Sequence, residues 1–150
     1  MKIIAQNKKA LFDYDISEKI EAGLVLSGDE VKSIREGKVS LLGAFATLHG
    51  GELYLINCNI TPYSKAFTKD EENATRRRKL LLHKKQIMRL IGEISKKGIT
   101  ILPLKLYFNE KSKIKVELGI GKHKKVAGKK QVLKERDIKR ETERAIKSYR

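Results

Sequence analysis

Cysteine is nearly absent. One thiol, Cys58, in 150 residues cannot close an intramolecular disulfide, and such usage fits a reducing cytoplasm. Cys58 ends an apolar run, Leu53-Tyr54-Leu55-Ile56-Asn57-Cys58, and reads as a packed core thiol rather than a nucleophile. Histidine is scarce too: His49, His83 and His123 are not at ligand spacing from one another or from Cys58, so no metal site is expected. No apolar stretch approaches the ~20 residues of a membrane span. The start, Met1 to Lys9, turns polar too early for a signal peptide. A cytoplasmic location without membrane contact is therefore expected. Enzyme motifs are lacking: there is no G-x-x-x-x-G-K-[ST], no G-x-S-x-G and no H-E-x-x-H. Gly119-Ile120-Gly121-Lys122 resembles a phosphate loop only superficially. Asp13 and Asp15 flank Tyr14 and read as solvated or salt-bridged carboxylates, not a catalytic pair. Neither an enzymatic activity nor a cofactor is predicted.

Acidic residues are also few. Asp+Glu number 18 against 34 Lys+Arg, a net charge of +16 at pH 7, which predicts affinity for polyanions. Basic residues cluster at Arg76-Arg77-Arg78-Lys79, at Lys84, Lys85 and Arg89, and through the C-terminal segment. Tyr14, Tyr63 and Phe67 are candidates to stack on unpaired bases, whereas Tyr54 reads as core.

Hydrophobic residues make up 40% of the chain, enough for one core without disulfides or metal. Leu24-Val25-Leu26 reads as a strand. Ser27-Gly28-Asp29-Glu30 fits a capping box, with a helix over 29–36 stopped by Gly37. Phe45 to Leu48 and Glu52 to Ile56, joined at Gly50-Gly51, read as a hairpin, and 64–75 reads as a loop. Ile87, Leu90, Ile91 and Ile94 predict a second helix over 84–97. Strands follow over 99–108 and 113–120, with a turn at 109–112. Pro103 suggests an edge or a bulge. The sum is a mainly β fold, an antiparallel β-barrel of the oligonucleotide-binding type with two or three short helices.

Composition shifts after Ile120. Residues 121–150 hold 12 Lys/Arg against 4 Asp/Glu, half of the net charge, and few large apolar residues. The reading is an RNA-binding domain over 1–120 and a basic tail over 121–150, disordered when free and helical against a polyanion. Glu135–Lys139 and Glu143–Lys147 are i, i+4 pairs that would support that helix.

Several words of the sequence share one source. Glu30-Val31-Lys32-Ser33-Ile34-Arg35-Glu36-Gly37 and Asn7-Lys8-Lys9-Ala10 with Tyr14 resemble the small protein B family, the SsrA (tmRNA)-binding proteins of bacteria. Glu21-Ala22-Gly23, Ile60-Thr61-Pro62-Tyr63, Arg78-Lys79-Leu80-Leu81-Leu82-His83-Lys84, Lys97-Gly98, Pro103-Leu104, Leu106-Tyr107 and Lys115-Val116 continue the resemblance in order. It implies an oligonucleotide-binding-type barrel that binds the tRNA-like domain of tmRNA and carries it to stalled ribosomes. It further implies a tail that folds in the vacant mRNA channel near the small-subunit decoding centre, and action by binding alone; a monomer is expected.

Carried over by position, Glu30 matches the tmRNA-binding glutamate, which should reach base or 2′-OH donors, since phosphates repel it. Leu81 and His83 match a second RNA-contacting patch, although other members have Asn where His83 stands; His83 could instead cap the second helix. Lys32, Arg35, Arg76, Arg78, Lys79 and Lys84 complete the expected RNA-binding set. In the tail, Lys124, Lys125, Lys129, Lys130, Lys134, Arg136, Lys139 and Arg140 are the expected ribosome contacts. Here the chain departs from the family: His123 replaces a glycine, and Ala127 and Gly128 stand where members carry Tyr or His and Asp. Stacking from position 127 is unavailable unless His123 substitutes. A rival reading is a basic ribosomal or assembly protein that binds rRNA.

Overall fold

The computed structural model describes residues 2–62 and 74–124. The described elements are β1 (Lys2–Gln6), α1 (Lys8–Asp13), β2 (Tyr14–Leu24), α2 (Gly28–Arg35), β3 (Val39–Ser40), β4 (Phe45–His49), β5 (Glu52–Ile56), β6 (Asn59–Ile60), β7 (Arg78–Leu81), α3 (Lys84–Ile94), β8 (Ile99–Phe108) and β9 (Ile114–His123). All described strand pairings are antiparallel. They run β8-β4-β5-β7-β2-β9 and return to β8, a closed ring of six strands, with β1 alongside β8 and a separate β3–β6 pair.

Alternation builds the core inside this ring. Val116, Leu118 and Ile120 of β9 point inward with Leu53 and Leu55 of β5, Ile20 and Ala22 of β2 and Leu80 of β7. Ile34 of α2 and Leu90 of α3 are buried against them. In β8 the inward set changes parity, because the register shifts between Pro103 and Lys105. Ile101 and Leu106 face the core, while Leu102 and Leu104 face outward. The bulge expected at proline is there.

Those outward leucines form a second, small apolar cluster with Ala10, Tyr14 and Ile16. It lies over Gly119 and Gly121 of β9, where a Cβ at position 119 would stand 2.7 Å from Leu104 Cδ1. Asn7 ties this layer down. Its Nδ2 donates to the carbonyls of Leu41 and Pro103 at 3.2 and 3.1 Å, and its Oδ1 accepts the Ala10 N–H at 3.1 Å.

Local signals placed most elements. The β4–β5 hairpin turns at Gly50 and Gly51, both at positive φ, as a two-residue turn of the I′ type requires. Gly37 and Gly98 also have positive φ, at 76° and 82°, where helices α2 and α3 hand over to the next segment. Asn109 Oδ1 accepts the N–H groups of Lys111 and Lys113, making the β8–β9 turn.

Four expectations need correction. Of the strand expected at 24–26 only Leu24 is in a strand, as the last residue of the long β2, whose exposed alternate residues gave a weak apolar signal; Val25 and Leu26 lie beyond it, before α2. Helix α3 ends at Ile94, with Ser95 as its C-cap, short of Lys97. Tyr54 is half-buried on the outer face of β5, between the buried Leu53 and Leu55. The boundary at Ile120 cuts through β9: Gly121 and Lys122 pair with Thr100 and Ile99, and the Lys124 N–H donates to the Asp13 carbonyl at 2.9 Å. Residues 125–150 of the expected tail (121–150) and 64–73 of the expected loop (64–75) lie outside the described residues, as do Tyr63 and Phe67.

Candidate nucleic-acid interface

Glu30 is fixed by its own helix first. Ser27 is the N-cap of α2; its Oγ accepts the Glu30 N–H at 3.2 Å, and Glu30 Oε1 accepts the Ser27 N–H at 2.9 Å. The capping box is thus complete. Two arginines from the segment leading into β7 then converge on the same carboxylate. Arg76 grips it side-on, Nη2 to Oε1 at 2.5 Å and Nε to Oε2 at 2.9 Å. Arg78 Nε reaches Oε2 at 2.8 Å. Burial by itself raises the Glu30 pKa, but the hydrogen bonds from Arg76, the Ser27 N–H and Arg78 outweigh it and hold the carboxyl below its ordinary range.

The four-residue basic run is therefore not one surface. Arg78 is 0% exposed, which corrects its place in the expected RNA-binding set. Strand alternation puts it on the same side of β7 as buried Leu80. Its charge is tolerated because it is fully engaged: besides Glu30 it donates to the carbonyls of Cys58 at 2.7 Å, Ala74 at 3.0 Å and Arg76 at 3.2 Å. Arg77 lies over the Tyr54 ring, 4.7 Å from its centroid, a cation–π contact. Lys79 pairs with Glu52 at 3.0 Å. Arg76 keeps a third of its side chain exposed.

Around this cluster the face is cationic with apolar spots. Leu81 is 49% exposed and Val25 44%. Lys32 and Arg35 stand exposed on α2. Arg35 lines a cavity of about 400 Å³ with Val31, Leu81, Phe108, Lys113 and Lys115. Lys113, just before β9, and Lys115 within it were missed by the sequence reading, although their alternation with Ile114 and Val116 was the available signal. His83 is the N-cap residue of α3, where Gln86 Oε1 accepts its N–H at 3.0 Å, and its side chain is exposed. Lys84 and Lys85 occupy the first turn of α3, where the helix dipole disfavours cations; a bound phosphate would reverse that penalty. Arg89 is committed elsewhere, as a bidentate pair with Glu18 of β2.

At the other end of β2, Tyr14 meets His123 edge-on at 4.9 Å, so this imidazole already has an aromatic partner. Lys124 Nζ lies 5.7 Å from the Phe12 centroid. Lys125, Lys129, Lys130, Lys134, Arg136, Lys139 and Arg140 lie outside the described residues. Cys58 is 0% exposed, and burial pushes its thiol up to about 11. No group of three or more His, Cys, Asp or Glu among the described residues could hold a metal ion, and no described helix is long and apolar enough to cross a membrane.

Comparison with known proteins agrees over the whole length. The family model described as "SmpB protein" matches residues 4–148. The SsrA-binding protein of Coprothermobacter proteolyticus is 49% identical over 144 residues, covering 96% of each chain. That of Rickettsia bellii is 51% identical over 146 residues, covering 97% of this chain and 96% of its own. A solved structure described as "tmRNA-SmpB: a journey to the center of the bacterial ribosome" superposes with a TM-score of 0.67 at 49% identity, covering 80% of this chain and 83% of that one. With a family model spanning nearly every residue and relatives at half identity, the chain belongs to the SmpB family.

Proposed function

We propose that the protein binds the tRNA-like domain of tmRNA (SsrA RNA) and delivers it to stalled ribosomes for trans-translation. The observation that carries this reading is full-length similarity to SsrA-binding proteins, joined to a cationic face with exposed apolar spots. Backbone phosphates suit Lys32, Arg35, Arg76, Lys79 and Lys84, while Leu81 and His83 suit bases and sugars. The strand ring is read as an oligonucleotide-binding-type barrel, a scaffold suited to carrying such a face. Binding is the whole activity, without catalysis or cofactor, and the protein works in the cytoplasm as a monomer. Residues 125–150 are assigned to the ribosome, in the mRNA channel near the decoding centre, where their cations meet RNA walls.

Sequencing the RNA that co-purifies with the protein tests the reading. A single small RNA with a tRNA-like end, enriched over ribosomal RNA, is expected. Ribosomal RNA alone, retained through high-salt washes, would favour a resident ribosomal protein and overturn it.

A further inference from the structure

The Glu30 carboxylate has no acceptor position left. A carboxylate offers about four lone-pair sites, and five nitrogens crowd onto them: Ser27 N and Arg76 Nη2 at Oε1, and Arg76 Nε, Arg78 Nε and, at 2.7 Å, Arg78 Nη2 at Oε2. Its side chain is 11% exposed. A base or 2′-OH donor would have to displace an arginine from a charge-assisted hydrogen bond, the stronger kind. Arg76 is placed differently. Four of its five N–H groups are used, on the two Glu30 oxygens and, at longer range, on the carbonyls of Arg77 at 3.2 Å and Val25 at 3.4 Å. That leaves one Nη1 N–H, and a third of the side chain is exposed. Charge is left over as well. Two guanidiniums share one carboxylate, and Arg78 is wholly buried, so the uncompensated positive charge stands at Arg76.

We infer that Glu30 is a positioning residue: it holds the Arg76 guanidinium in a fixed orientation, and Arg76 is the group that touches RNA, at a backbone phosphate. This rests on the tmRNA-binding reading above. Arg78 locks Glu30 from below by filling its second oxygen and anchoring to the Cys58 carbonyl. The assembly explains why an acid belongs on a face that meets a polyanion. A flexible arginine would lose rotamer freedom on binding, whereas one clamped by a fork arrives with that freedom already lost.

The test is a double-mutant cycle on the full-length protein, with a transcript of the tmRNA tRNA-like domain as probe and affinity measured across a KCl series. Glu30→Gln keeps an oxygen for the Ser27 N–H, so α2 stays capped, and circular dichroism melts verify that each variant is folded. Glu30→Gln and Arg76→Gln should each weaken binding about tenfold, as expected for losing a charged hydrogen bond. The double variant should bind no worse than Arg76→Gln alone. The salt dependence separates the roles further. Losing one phosphate contact flattens the slope of log K against log salt by ~0.7–0.9. As a positioning residue, Glu30 should show that flattening on substitution even though Glu30→Gln removes a negative charge. Additive losses in the double variant, or an unchanged slope in Glu30→Gln, would show direct contact by Glu30 and overturn the inference while leaving the tmRNA-binding reading intact. Failure of the wild-type protein to bind the transcript would overturn both.

Discussion

Substituting Arg78 by Met should destabilise the fold far more than the same change at Arg77, one residue away. Arg78 is wholly buried and donates to Glu30 and to the carbonyls of Cys58, Ala74 and Arg76. Met fills much of the volume but donates nothing. Losing the bond to the carboxylate costs about 1.5–3 kcal/mol, and stranding the buried Cys58 carbonyl about 1–3 kcal/mol. The total agrees with the roughly 3–5 kcal/mol seen when one partner of a buried ion pair is removed. Against a total stability of about 5–15 kcal/mol, and at about 2–4 °C per kcal/mol for a chain of this length, the midpoint should fall by roughly 6–20 °C. Arg77, exposed above Tyr54, should lose under about 1 kcal/mol. Thermal melts followed by far-UV circular dichroism at pH 7 measure both. Acid supplies a second check. The folded-state pKa of Glu30 is depressed, so its contribution is present above the unfolded carboxyl value and disappears as pH falls through the folded value. The gap between wild type and Arg78→Met should therefore be widest near neutrality and narrow on acidification. An Arg78→Met protein that melts within 2 °C of wild type, or a gap that widens in acid, would refute the argument that this ion cluster holds α2 to the ring.

Three further outcomes are expected. Gly119→Ala places a Cβ 2.7 Å from Leu104 Cδ1 and 3.1 Å from Ile16 Cγ2, and should cost about 1–3 kcal/mol by overpacking, read as a lower urea midpoint; an unchanged midpoint would mean that the outer apolar cluster shifts freely. Truncation after Lys124 should preserve folding and tmRNA binding while abolishing peptide tagging on stalled ribosomes, whereas truncation after Ile120 should also lower the melting temperature, because it removes the Gly121–Thr100 and Lys122–Ile99 pairings; equal melting temperatures for the two would contradict the extended β9. Cys58, fully buried with its thiol raised to about 11, should react with a thiol reagent at pH 8 only after urea unfolds the chain, and rapid labelling of the native protein would contradict its place in the core.

Much of this architecture was legible because local chemistry decides it. Ser27 and Glu30 cap α2 with their own backbone, and Gly50-Gly51 dictates a tight turn whatever surrounds it. The alternation of Ile114, Val116, Leu118 and Ile120 needs only a strand and one wet side to be read. Net charge likewise belongs to composition, and it pointed to a polyanion before any element was placed. The family words were legible as words. What the sequence could not decide is which of four adjacent cations faces water. Arg76, Arg77, Arg78 and Lys79 look equivalent in a string, yet one clamps a carboxylate, one covers a tyrosine, one is buried and one pairs with Glu52. That partition depends on α2 arriving above the end of β7, a contact across 46 to 48 positions of chain. The parity switch of β8 at Pro103 has the same character: only closure of the ring forces Leu106 inward after Leu104 has turned out. Local propensity acts within a turn or two of chain, whereas the burial of a charge is settled by whichever distant partner can satisfy it.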